Sequence, residues 1–294
     1  MKYTLTVLFL AVFISVTAFA APMPGVNIRG TVDWNTMLIN AEVSLDLISA
    51  GIRLPSGRGH GEMLLNSEYL RLILPGILNL QVDSSSTIGT LVDRGDLSIT
   101  EAKNIALRAQ AVPPALSPDM RNISSSYTIP LSGISTALLR HNSPSPVMRT
   151  MNPVSTAQYT GIVIIAAESL PVYGMRSSTL PVPCLFPKIW DSDMNLIYEK
   201  NMLESHNAPM IRYAPLQSIF QRSPSGLTPE LTAVVGSHPL RIFASGVFGM
   251  KPTDLIIDRR DAQLIISSDV NRRLLTEGRV AIILADSVLK QEFK

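Results

Sequence analysis

VNIRGTVDWNTMLINAEVSLDL, residues 26–47, is the stretch on which the fold turns. Val26, Ile28, Val32 and Trp34 share one parity, with Asn27, Arg29, Thr31 and Asp33 on the other. Beyond Asn35 and Thr36 the alternation resumes, with Met37, Ile39, Ala41, Val43, Leu45 and Leu47 against Asn40, Glu42, Ser44 and Asp46. Successive strand side chains point to opposite faces, so two such arms around a short polar break predict a half-buried β-hairpin.

Downstream, Pro55, Gly57, Gly59 and Gly61 interrupt the alternation, and Met63, Leu65, Leu70, Ile73 and Leu74 recur at helical spacing. The spacing predicts a helix ended or kinked at Pro75-Gly76, because proline lacks an amide proton and clashes with the preceding turn. Asp83-Ser84-Ser85-Ser86-Thr87 reads as turn or cap residues, and Asp96 as the cap of a helix carrying Ile99, Ala102, Ile105 and Ala106. Between Arg140 and Ala157, Asn, Ser and Pro accumulate without apolar period, as in an extended connector. Past it, 159–167, 185–190, 196–198, 240–247, 255–258 and 280–284 read as strands, 259–275 as a helix, and 215–232 as a surface excursion. The predicted class is α+β with two domains, each a mainly antiparallel sheet packed with one or two helices. Its divisions are a leader at 1–20, a first domain at 21–139, a linker at 140–157 and a second domain at 158–294.

The leader reading rests on Lys2, an apolar run from about Leu5 to Phe19, and Ala18-Phe19-Ala20, a small-x-small cleavage signature. The run is shorter than the roughly 20 residues a spanning helix needs, so no transmembrane anchor is expected once it is removed. Cys184, the one cysteine, lies far from that junction, which predicts a periplasmic protein that is not a lipoprotein. With 25 Lys and Arg against 23 Asp and Glu, no strong field exists to attract nucleic acid. A lone cysteine excludes an internal disulfide framework.

No catalytic constellation emerges. His60, His141, His206 and His238 are scattered singly, no Gly-x-Ser-x-Gly occurs, and Asp191-Ser192-Asp193 with Asn195 lacks the glycine and distal glutamate of a calcium loop. Catalytic residues, metal and cofactor are all expected to be none. Gly57-Arg58-Gly59-His60-Gly61 precedes a helix and is a weak candidate anion loop, but it has neither the Lys-Ser/Thr ending of a nucleotide loop nor dinucleotide spacing. A structural turn is the simpler reading. The hairpin, with Val26, Ile28, Thr31 and Ser44, is the candidate interaction surface, since an edge strand offers unpaired backbone groups to a neighbour.

Val32-Asp33-Trp34, Leu54-Pro55-Ser56-Gly57-Arg58-Gly59, Val82-Asp83-Ser84-Ser85-Ser86-Thr87 and Ile129-Pro130-Leu131-Ser132-Gly133 occur in that order. Over Val26 to Leu138 the chain resembles the exported bacterial family of FlgP and the FlgT N-terminal domain. That resemblance implies a structural or assembly protein of the envelope, with envelope or flagellar motor proteins as partners and a possible homo-oligomer. Two departures are the missing lipid-accepting cysteine and a helix carrying Met63, Leu64, Leu65, Asn66 and Tyr69 where the family has alanine and arginine. The alternatives are a periplasmic small-molecule-binding module and a hydrolase.

Overall fold

The computed structural model describes residues 24–141, 143–204 and 210–294, so the leader at 1–20 and His206 lie outside the described residues. Strand β1 (Val26–Asp33) and β2 (Leu38–Asp46) form the expected hairpin, in register from Val26 opposite Leu45 to Asp33 opposite Leu38. At its turn the Asp33 carboxylate accepts from the amides of Asn35 and Thr36 at 3.0 and 3.1 Å. Helix α1 (Arg58–Leu78) lies across the apolar face and runs through Pro75 instead of ending there. Ile73 and Ile77, fully buried on either side of the proline, supply the burial that offsets the roughly 3 kcal/mol an internal proline costs.

Helices α2 (Ile88–Arg94) and α3 (Ile99–Leu107) begin at Thr87 and Ser98, each closing a reciprocal capping box, with Thr90 and Glu101 respectively. Thr87 thus caps as expected, whereas Ser98 takes the place expected of Asp96. Short β3 (Gln110–Ala111) and β4 (Ala115–Leu116) flank β5 (Asn122–Pro130), which pairs with β2 along its whole length and leads into α4 (Leu131–Leu138).

The second domain contains β6 (Ile162–Ala166), the small hairpin β7 (Leu170–Pro171) and β8 (Ser178–Thr179), then β9 (Ile189–Asp191), β10 (Leu196–Tyr198) and β11 (Arg212–Pro215). Helix α5 (Pro229–Val235), β12 (Leu240–Phe248), β13 (Asp254–Ile257), α6 (Arg259–Ile266), α7 (Asp269–Thr276) and β14 (Val280–Leu284) follow. The expected α+β class and two domains hold. The second sheet, ordered β10-β9-β13-β12-β6-β14-β11, is however mixed: β9 with β13, β6 with β12, β6 with β14 and β11 with β14 run parallel. Only β9 with β10 and β12 with β13 run antiparallel. The cause is visible in β14, apolar and buried at every position, because parallel strands are covered on both faces and lose the alternation of a half-exposed sheet.

One predicted helix, 259–275, is split into α6 and α7 at Ser267-Ser268. The 215–232 segment is anchored by Ile219 and Leu227, both buried beside α5. The connector carries no helix or strand over 143–157, yet it is strapped down: Asn271 accepts from the Tyr159 amide at 3.1 Å and donates to the Ala157 carbonyl at 2.9 Å.

The chain's last strand, β15 (Lys290–Phe293), leaves the second domain and adds antiparallel to β1, with Gly30 opposite Phe293 and Asp33 opposite Lys290. The span 158–294 therefore completes the first sheet, whose order is β15-β1-β2-β5-β3. Further backbone bonds join the domains, from Leu185 to Gln81, Phe186 to Val82 and Lys251 to Ser84, at 3.0, 2.8 and 2.9 Å. Trp34 meets Tyr213 edge-on at 5.8 Å, and one apolar core runs through both domains. No helix among the described residues is long and apolar enough to cross a membrane.

Candidate docking edge

Strand β15 pairs with β1 over Gly30–Asp33, and among the described residues no strand pairs with the same edge at Val26–Arg29. This corrects the expectation for the hairpin: Thr31 faces Glu292 of β15, and Ser44 lies inside the sheet between Asn27 and Ser124. Val26 and Ile28 do lie at that edge. Two glycines make the pairing with β15 possible. A Cβ at Gly30 would sit 2.0 Å from the Phe293 ring and one at Gly76 of α1 2.5 Å from it, so the ring occupies a slot that exists only while both positions lack a side chain. A groove of about 790 Å³ reaches from this part of β1 across β2 to β5, with Asn27, Arg29, Glu42, Ser44, Ser124 and Lys294 in its lining.

The glycine-rich candidate is the start of α1, Gly57 being the N-cap residue and Arg58 to Gly61 the first turn. Its glycines serve packing. A Cβ at Gly57 would lie 2.6 Å from Ile52 and 2.7 Å from the Arg53 carbonyl, and one at Gly61 3.3 Å from Leu47. The Arg58 guanidinium is engaged by Glu62 at 2.8 Å, while His60 is exposed.

The remaining chemistry-bearing residues are held apart. His141 meets the Leu203 carbonyl at 2.9 Å and His238 lies over the Tyr159 ring at 5.9 Å. Asp191 closes the β9–β10 turn, accepting from the Asp193 and Asn195 amides at 3.0 and 2.8 Å. Among the described residues no group of three His, Cys, Asp or Glu side chains could hold a metal ion. Cys184 is fully buried, its amide donating to the Tyr213 hydroxyl at 3.2 Å and its carbonyl accepting from it at 2.9 Å. Burial pushes the Cys184 thiol far above the ordinary thiol range. Native protein is therefore expected to give no reaction with a thiol-disulfide reagent and one equivalent per chain in denaturant; rapid native labelling would contradict this.

A polar cluster between the domains gives no signal in the sequence. Asp254, 1% exposed, accepts from the Ser84 hydroxyl of the first domain at 3.1 Å, the Lys188 amide at 3.2 Å, the Thr253 hydroxyl at 3.2 Å and the Trp190 indole at 3.5 Å. It closes a long-range contact, 170 residues apart, that no local pattern announces.

Fold and edge together define a two-domain α+β protein whose first sheet is finished by its C-terminal strand. Residues 25–137 match a family model described as the N-terminal domain of Treponema pallidum Tp0624, and residues 161–287 one described as the second domain of that protein. Both domains of this chain are thus similar to domains of Tp0624 and stand in the same order. Strand β15 falls outside both matched spans. No curated protein matches the chain.

Proposed function

We propose that this chain is a non-enzymatic docking component of the bacterial envelope, exported by its leader and working in the periplasm, with the flagellar basal structures as its first partner. The observation that supports the reading is the β1 edge at Val26–Arg29, beside which no described strand pairs, set in a body whose two domains are joined by a shared core, a shared sheet and the Asp254 cluster. A strand edge held in a packed body is suited to assembly, because a fixed edge loses little entropy when a neighbour adds to it. The leader supports export. The resemblance of residues 26–138 to FlgP and the FlgT N-terminal domain is the support for taking the flagellar base as the first envelope partner to test.

Co-purification from crosslinked envelope fractions tests the proposal. Recovery of motor components with the tagged full chain, reduced by Val26→Pro, is the expected result. A chain retained in the cytoplasm, or one recovering no envelope protein, would overturn it.

A further inference from the structure

We propose that the cleft between the two domains beside β11 binds a small zwitterion of dipeptide size, with its carboxylate on Arg212 and its ammonium on Glu230. This is a second function, and it stands or falls independently of docking.

The cleft is assembled from segments far apart in the chain. The first domain contributes Asn35 and Thr36, at the tip of the β1–β2 hairpin. The second contributes β11, Ser218 of the 3₁₀ turn at Leu216–Ile219, and the start of α5. Tyr213, Ala214 and Leu231 are buried and supply its apolar floor. Its volume is about 480 Å³, inside the range of about 300–1,000 Å³ common for small-molecule sites, which favour junctions between domains.

Three polar side chains of this lining are unpartnered. Among the described residues Arg212 and Glu230 form no ion pair and no side-chain hydrogen bond, with each other or with any neighbour. Arg212 is half-buried, so it gives up part of its hydration without a carboxylate in exchange. Ser218 is only 8% exposed, and its hydroxyl also has no partner, although buried hydroxyls ordinarily find one.

Charge and length select the ligand. The lining carries one cation and one anion, so a molecule of net zero charge balances it, whereas an anion would meet Glu230 and a cation Arg212. Asp33 and Asp286 on the adjoining segments lie outside the lining and are engaged, Asp33 by the Asn35 and Thr36 amides and by Lys290, Asp286 by Gln217. Arg212 and Glu230 stand too far apart to pair, and two extended residues span about 7 Å, which bridges such a gap. The planar guanidinium suits a carboxylate through two parallel hydrogen bonds, the Glu230 carboxylate suits an ammonium, and the Ser218 hydroxyl is left for the amide between them.

The test titrates the full chain with Ala-Ala, N-acetyl-Ala-Ala and Ala-Ala amide, followed by calorimetry and by protein NMR. Saturable binding of Ala-Ala is expected in the micromolar to millimolar range, with each blocked form weaker by about tenfold, since each lacks one charged end. Glu230→Gln, at an exposed position, should weaken Ala-Ala about tenfold and leave the N-acetyl form, which has no ammonium, unchanged. Arg212→Gln should weaken Ala-Ala in the same measure and leave the amide, which has no carboxylate, unchanged. Saturation should shift the Asn35, Thr36 and Ser218 amide signals. If Arg212→Gln does not fold, the two Glu230→Gln titrations decide alone. Equal affinity for the three peptides, indifference of Ala-Ala to Glu230→Gln or to folded Arg212→Gln, saturation without shifts at those amides, or no binding at about 10 mM would each overturn the inference.

Discussion

Gly76→Ala is expected to destabilise the protein by about 2 kcal/mol, although alanine in a helix interior normally stabilises by up to about 1 kcal/mol over glycine. The added Cβ would fall 2.5 Å from the Phe293 ring, and the ring cannot retreat toward β1, where a Cβ at Gly30 would lie 2.0 Å from it. The substitution therefore expels the ring and loosens β15. Phe→Ala losses of about 3–5 kcal/mol apply to fully buried rings, and Phe293 is only half-buried, so a smaller figure follows. In a Phe293→Ala background the same Gly76→Ala change should become neutral or stabilising, and Gly30→Ala should lose its cost in parallel. This sign reversal is the diagnostic. Urea denaturation of the double-mutant cycle should give a coupling of about 2 kcal/mol, and additive effects would show that the ring does not occupy the slot.

Asp254→Ala should cost about 3 kcal/mol and loosen the contact between the domains. The change strands the Ser84 and Thr253 hydroxyls, the Lys188 amide and the Trp190 indole, all of which now donate to one buried carboxylate. Exchange of the Lys251 amide, which donates across the junction to the Ser84 carbonyl, should rise with it. The pH dependence has a definite sign. Burial raises the Asp254 carboxyl above its ordinary value, with the four donors opposing the shift. A folded state that holds the proton more tightly than the unfolded chain loses stability as pH rises from about 4, the ordinary aspartate value, through the raised folded value. Wild type should therefore gain on Asp254→Asn as the solution is acidified from neutrality into that window. A difference, wild type minus Asp254→Asn, that stays constant or rises toward neutral pH would reject the assignment.

The parity of residues 26–47 made the hairpin and its register legible, because the inward positions are apolar apart from Gly30 and the outward ones polar apart from Leu38. Strand β5 escaped notice despite the same geometry, since Ser125 sits at a buried position between Ile123 and Tyr127 and blurs the alternation. Strand β15 escaped for the opposite reason. Lys290-Gln291-Glu292-Phe293 has one apolar residue, and its place depends on Gly30 and Gly76, far away in the chain. Of the candidate surface, the hairpin was readable, whereas the stretch of β1 that pairs with β15 was not.

By itself the sequence determined the local periods: where the chain extends, where it coils, where a connector separates two apolar halves, and that its single cysteine leaves stability to apolar burial. The tertiary structure decided the partners. It chose parallel neighbours for the fully apolar strands, split one helix at two serines, and returned the last strand to the first sheet over Gly30–Asp33. Periodicity is a property of neighbouring residues and is written into any short stretch, while pairing is selected by burial and hydrogen bonding between segments that meet only when the whole chain is compact.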